Sequence, residues 1–419
     1  MEIKRYDYLK RLIDKQDNNM IKVITGLRRS GKSYLLYNLF RKYLLDNVTD
    51  DNHIIYLALD TEENKKYWDS KVLNEYLLSR IEDDNEKYYI LLDEIQFVDD
   101  FVLILNGFLY KKNVDVYVTG SNSKMLSSDI STEFRGRGDV IHLYPLTFKE
   151  YFESYEGDKD DAWNDFVLYG GLPYILFCKT DEDKIEYLKN LYKETYIDDI
   201  KERRNIKNEQ LLNDILDVLS SQIGSLTNPV RLTNIINDRY QNENLVNKNT
   251  IDTYISYIED AFLINKVQRY DIKGNHYINS PYKFYYEDIG LRNARLNFRQ
   301  IDDGHIMENI IYNELVARRY NVDIGIVDVF EKVDGKTVRK NYEVDFVVNK
   351  GVKKYYIQSV YQLTDGFKID QEKKSLSNID DSFKKIIIVK DNIKTRVDNN
   401  GIVTMGLYYF LLNKNSLDE

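Results

Sequence analysis

The chain has 419 residues, 43% hydrophobic and 31% charged, with a formal net charge of −10; this length implies more than one compact unit, and the interspersed composition excludes disordered and fibrous classes. A single cysteine, Cys178, excludes an internal disulfide framework, and four scattered histidines without helical i, i+4 spacing argue against a zinc site. Residues 1–170 carry 23 Lys and Arg against 31 Asp and Glu, so most of the negative charge lies there and that third is poorly suited to coating a polyanion.

In chain order, Met1 to Arg11 is charged and amphipathic, without the apolar core of a signal peptide, and no later apolar run is long enough to span a bilayer. No membrane association and a cytoplasmic location are therefore expected. Met20–Thr25, Ile54–Leu59, Tyr88–Leu92 and Val114–Thr119 are short β-rich runs separated by helix-length segments such as Tyr34–Leu45, the pattern of a parallel α/β sheet. Residues 1–150 form this first domain. From Phe148 to about Arg204 the pattern turns helical around Gly170-Gly171-Leu172-Pro173, which predicts a helical lid or linker over 151–205.

Residues 206–300 predict three helices, over Leu211–Gln222, Leu232–Tyr240 and Ile251–Asp260, the last capped by Asn249-Thr250. A hairpin follows, Phe262–Tyr270 and His276–Tyr286 about a turn at Lys273-Gly274-Asn275, completing winged-helix order. A last α/β domain over 301–419 opens with a helix, Ile306–Arg319, and continues with strands at Ile324–Phe330, Tyr342–Val348, Lys354–Val360 and Lys385–Val389.

The sharpest chemical signal is Gly26-Leu27-Arg28-Arg29-Ser30-Gly31-Lys32-Ser33, a full G-x-x-x-x-G-K-[ST] between a strand and a helix. Glycines let successive N–H groups turn inward toward phosphate oxygens, and the helix N-terminus adds a favourable dipole. Gly26, Arg28, Arg29, Ser30, Gly31, Lys32 and Ser33 are the candidate cofactor contacts, with Lys32 on the β- and γ-phosphates and Ser33 in the Mg²⁺ shell. The strand Tyr88–Leu92 ends in Asp93-Glu94, a Walker B pattern in which Asp93 holds Mg²⁺ and Glu94 acts as general base on the attacking water. ATP and Mg²⁺ are the expected cofactors. Ser121 and Asn122, after the strand Val114–Thr119, are candidate sensors of the γ-phosphate or partners in an ordinary turn. Arg135 and Arg137 are candidates for an arginine finger supplied in trans by another copy, or for surface ion pairs.

With Leu92-Asp93-Glu94-Ile95-Gln96, Thr119-Gly120-Ser121-Asn122-Ser123, Gly136-Arg137, Pro145-Leu146-Thr147-Phe148-Lys149-Glu150 and Gly170-Gly171-Leu172-Pro173 in that order, the chain resembles the AAA-type P-loop ATPases of bacteria and archaea that carry a C-terminal domain of unknown function, of the DUF4143 type. The resemblance implies an AAA-like core, a winged helix and a restriction-endonuclease-like C-terminal domain. A working nuclease of that kind needs an acid on its first helix, an acid at a strand end and Glu-x-Lys on the next strand. Glu308 and Asp345 fit the first two positions, but Gln358 and Val360 stand where Glu and Lys are required, which predicts a degenerate, non-cutting domain. The third winged-helix helix presents Asp252, Glu259 and Asp260, so Lys201, Arg203, Arg204, Lys207, Arg292, Arg295 and Arg299 are the better candidates for phosphate contact. The expected function is Mg²⁺-dependent ATP hydrolysis that drives or gates a transaction on DNA or RNA; the alternative is an ATP-controlled switch that binds a protein partner, and an active nuclease ranks last.

Overall fold

The computed structural model describes residues 2–82, 86–120, 134, 136–197, 200–201, 204–240, 245–333, 336–361 and 373–419. They divide into two compact units, Met1–Pro145 with Asp260–Phe262, and Leu146–Glu259 with Leu263–Glu419.

The first unit is built on five parallel strands, β1 (Ile21–Thr25), β2 (Ile54–Ala58), β3 (Tyr88–Asp93), β4 (Val114–Thr119) and β5 (Gly138–His142), in the order β2-β3-β4-β1-β5. All six residues of β3 are buried because both sheet faces are covered, and the period of two divides them. Tyr88, Ile90 and Leu92 join the core beneath the helices Ser70–Ser79 and Phe101–Phe108. Tyr89 and Leu91 point to the opposite core, with Leu12 of the helix Tyr6–Asp14 and Leu36 and Phe40 of the segment Tyr34–Asn47. The four expected strands are all present. The fifth, β5, is paired along its whole length with β1 although only Val140 and Ile141 are strongly β-forming, so its strand character comes from the vacant edge of β1.

Parallel pairing places the carboxyl ends of β1, β3 and β4 on one edge, where open α/β sheets bind ligands. Thr119 lies opposite Ile24 and Val118 opposite Leu92, so Asp93 and Thr119 emerge side by side, next to the loop that follows Thr25.

The second unit carries an eight-stranded mixed sheet of β6 (Ile264–Asp271), β7 (His276–Tyr286), β8 (Asn321–Val333), β9 (Lys336–Lys350), β10 (Lys353–Val360), β11 (Lys384–Val389), β12 (Arg396–Val397) and β13 (Ile402–Gly406), in the order β12-β13-β11-β10-β9-β8-β6-β7. The hairpin expected as a wing is therefore an edge of this sheet: β6 pairs in parallel with β8 through Arg269, Tyr270 and Asp271. The expected boundary at residue 300 does not separate two folding units, because backbone hydrogen bonds cross it and Ile272 packs into the same core as Val327, Val344 and Ile387.

Three helices, Glu209–Ser221, Pro229–Arg239 and Lys248–Asp260, precede the hairpin as expected. Asn247, rather than Asn249 or Thr250, caps the third, its Oδ1 accepting the Thr250 N–H at 2.9 Å. The Gly170-Gly171 pair does not act as a flexible joint. Gly170 has φ +78°, and a Cβ there would lie 2.4 Å from Asp288 Oδ1, while the Gly171 N–H donates to Asp288 Oδ2 at 2.8 Å. The glycines let the turn close on the N-terminus of the helix Ile289–Arg295, and Asp288 caps that helix through the Leu291 N–H at 3.0 Å.

Candidate nucleotide site

The loop after β1 is shaped by two constraints. Gly26 has φ +133°, and a Cβ on it would sit 2.3 Å from the Leu143 carbonyl oxygen, so no side chain fits between β1 and the end of β5. Arg29 and Gly31 also have positive φ, +66° and +98°, turning the backbone back toward the helix that starts at Tyr34. This winding is the basis of an anion-binding nest. Lys32 is buried, with its Nζ donating to the carbonyl oxygens of Gly26 and Leu27 at 3.0 Å each. Ser30 is fully buried and its hydroxyl has no hydrogen-bond partner among the described residues. Arg28 is half-buried, whereas Arg29 and Ser33 are exposed.

A contact the sequence did not disclose fixes the outside of the loop. Arg5 is buried over the Tyr8 ring, 4.6 Å from its centroid, and donates to Tyr144 O at 2.7 Å and Ser30 O at 3.3 Å. One arginine ahead of an amphipathic helix carries no pattern from which this could be read.

Asp93 ends β3 and is buried there. Thr119 Oγ1 donates to Asp93 Oδ1, and the Glu94 N–H donates to Thr119 Oγ1 at 2.9 Å. Burial pushes the Asp93 carboxyl above its ordinary value, and the Thr119 and Ser33 hydroxyls pull it back. The Ser33 hydroxyl and the Asp93 carboxylate are hard-oxygen donors of the kind suited to Mg²⁺. The unpartnered Ser30 hydroxyl and the glycine-tight cradle likewise fit a phosphate chain. Glu94 has φ +55°, turning it away from the line of β3, and its Oε2 accepts from the Gln96 amide. Gln96 belongs to the motif Leu92–Gln96 that carries the resemblance, but the sequence assigns its amide no role of its own.

Ser121, Asn122 and Arg135 lie outside the described residues. Arg137 is exposed, 5.9 Å from the Tyr110 ring centroid, and its carbonyl accepts the Ile21 N–H at 2.9 Å. Ile21 opens β1 and Thr25 closes it, so the Arg137 backbone stands about 13 Å along the strand from the phosphate loop. The structure does not bring Arg137 to the loop of its own chain.

In the second unit, Glu308, Asp345 and Gln358 do come together: the Asp345 N–H donates to Gln358 Oε1 at 3.2 Å, and Asp345 Oδ2 accepts the Ser359 N–H at 2.8 Å. Lys283, which the sequence reading missed, places its Nζ 2.8 Å from Glu308 Oε1, 2.7 Å from Glu343 Oε1 and 3.9 Å from Asp345 Oδ1. Burial works against the Lys283 charge, but Glu308, Asp345 and Glu343 together hold its ammonium above the ordinary lysine value. Among the described residues, no group of His, Cys, Asp and Glu is arranged to hold a metal ion.

Two expected phosphate-binding arginines are spent internally. Arg292 is buried and donates to Ser220 O at 2.9 Å and to Asn293 Oδ1 at 3.0 Å, and Arg295 donates to Asp217 Oδ1 at 2.7 Å and Asn213 O at 2.9 Å. Lys201 pairs with Glu209 at 2.7 Å, Arg204 stands 4.9 Å from the Tyr257 ring centroid, and Arg203 lies outside the described residues. Among the described residues, no helix is long and apolar enough to cross a membrane.

Residues 18–152 match the AAA domain family, and residues 160–302 match a domain of unknown function, DUF8612. The resemblance had instead placed a DUF4143-type domain toward the C-terminus. A Walker-type ATPase of Pyrococcus abyssi shares the fold with a TM-score of 0.50 at 13% identity, over 70% of this chain and 96% of that one. An uncharacterized protein of Haemophilus influenzae is 32% identical over 409 residues, 96% of this chain and 97% of its own length. An uncharacterized protein of Methanocaldococcus jannaschii is 30% identical over 366 residues, 83% of this chain and 76% of its own. With such identity running nearly end to end, the chain belongs to the family of the Haemophilus and Methanocaldococcus proteins, and it carries an AAA-type P-loop domain over residues 18–152.

Proposed function

We propose that the protein hydrolyses ATP with Mg²⁺ at the loop Gly26–Ser33 and uses the cycle to control what its second unit binds. The observation that carries this reading is the buried Lys32 inside the turn Gly26–Ser33, together with the buried Asp93 carboxylate held by Thr119 at the end of β3. Lys32 exchanges its two loop carbonyls for phosphate oxygens, and Ser33 and Asp93 hold Mg²⁺, which when bound offsets phosphate charge. Glu94 takes the proton of the attacking water, and Gln96 orients its carboxylate. Arg28 and Arg29 flank the phosphates, Ser121 and Asn122 sense the γ-phosphate, and Arg137 serves the site of a second copy in trans, in keeping with its distance from its own loop.

The second unit is proposed to bind DNA or RNA through a winged-helix-like arrangement, supported by the helix order and by the bridge from Thr227 to Tyr282, which adds a third strand segment to the hairpin. Its restriction-endonuclease-like part is proposed to bind without cutting. The internal engagement of Arg292 and Arg295 favours a second reading, in which the partner is a protein.

The test is steady-state ATP turnover with and without duplex and single-stranded DNA and RNA across a salt series. Lys32→Ala is expected to lower nucleotide affinity about a hundredfold, and Glu94→Gln to keep binding while losing about 10²–10³ in turnover. Normal hydrolysis by Glu94→Gln removes the assigned base. Stimulation by nucleic acid that fades steeply with salt supports the first partner class; unchanged turnover together with ATP-dependent capture of a protein supports the second.

A further inference from the structure

Glu343 and Asp345 stand two residues apart on β9, and Lys283 and Tyr285 two apart on β7, so each pair shares one face of its strand. The helix Asp303–Ala317 adds Glu308, whose Oε1 accepts from both Lys283 Nζ at 2.8 Å and Tyr285 OH at 2.5 Å. Three carboxylates from two elements thus converge on one ammonium delivered by a third. The Lys283 side chain is 4% exposed, those of Glu308 and Asp345 10% each, and that of Glu343 32%.

Such convergence of buried acids is costly unless a cation stands at its centre. The Lys283 ammonium is within hydrogen-bond distance of Glu308 and Glu343, with Asp345 Oδ1 3.9 Å away, and it supplies one positive charge where a divalent ion would supply two. We propose that Lys283 is a tethered substitute for a divalent cation, filling the point on which Glu308, Glu343 and Asp345 converge and closing that site to metal. A metal ion would draw oxygens to about 2.0–2.6 Å; an ammonium with oxygens at 2.7 and 2.8 Å occupies the same centre and repels a second cation. The partly exposed Glu343 gives an ion its approach once the lysine is gone. The inference rests on the second unit being a binding rather than a cutting module, and it accounts for that property by an occupied metal position in addition to the neutral Gln358.

The test is Mn²⁺ binding to the full chain without nucleotide, followed by the loss of the free-ion paramagnetic resonance signal. Binding to wild type is expected to be unchanged by Asp345→Asn, because the cluster holds no metal. Lys283→Met is expected to gain one Mn²⁺ per chain, lost again in Lys283→Met with Asp345→Asn. If Lys283→Met is unstable alone, Mn²⁺ is expected to raise its melting temperature more than that of wild type. A wild-type Mn²⁺ site lost in Asp345→Asn overturns the proposal, and so does a Lys283→Met chain that takes up no extra Mn²⁺ or that Mn²⁺ fails to stabilise. Metal-dependent cleavage of DNA by wild type, abolished by Asp345→Asn, removes the non-cutting reading, whereas the Mn²⁺ titration judges Lys283 separately.

Discussion

Asp288 shows how one residue gains a role that its neighbours in sequence do not announce. It is fully buried, caps the helix Ile289–Arg295 and holds the turn at Gly171, and burial pushes its carboxyl up to about 6 against the pull of the Gly171, Leu291 and Gly290 N–H groups. Between pH 4 and 6 the folded chain therefore keeps a proton that the unfolded chain has already released. The stabilisation from this group is complete below about pH 4 and is lost as pH rises through 6. Urea unfolding of wild type and Asp288→Asn should show their stability difference moving against wild type by about 2 kcal/mol from pH 4 to pH 7. A difference that does not change with pH would place the carboxyl at its ordinary value. The phosphate loop is the opposite case, since Gly26, Lys32 and Ser33 announce themselves by spacing alone. Arg5 does not, because its partners, Ser30 O and Tyr144 O, are selected by chain folding.

At the scale of elements, the helix Ile289–Arg295 explains why a basic stretch need not bind phosphate. Arg295 reaches back to Asp217 and Asn213 and ties this helix to Glu209–Ser221, and Arg292 completes the tie at Ser220 O. Arg295→Ala should lower unfolding free energy by about 2 kcal/mol, because it leaves Asp217 and the Asn213 carbonyl without this donor. The salt dependence of any nucleic-acid binding should stay the same, and a shallower salt slope in the variant would return Arg295 to the phosphate-binding set. The β-hairpin gives the companion lesson. Its strands and turn were legible from alternation and Gly274-Asn275, but its partner was not, since pairing between β6 and β8 joins residues separated by more than fifty positions.

The whole molecule carries its proposed nucleotide site in one compact unit and most of its residues in the other. Scanning calorimetry should resolve two transitions, of which ATP with Mg²⁺ raises only the one belonging to the first unit. At a hundred times the dissociation constant the gain is about 2.7 kcal/mol, and Lys32→Ala should abolish it. A single transition that nucleotide shifts as a whole would show the units to unfold together. Taken by itself, the amino-acid order determined the parallel sheet, the phosphate loop and the acid pair at the end of β3. These follow from local period, glycine spacing and residue type, which neighbours in the chain specify directly. Only the tertiary structure decided that Arg292 and Arg295 are internal ties, that the hairpin belongs to the eight-stranded sheet, and that Lys283 stands among three acids. Each of those depends on which distant segments exclude water together, and burial decides whether a charge is a free ligand or half of a pair.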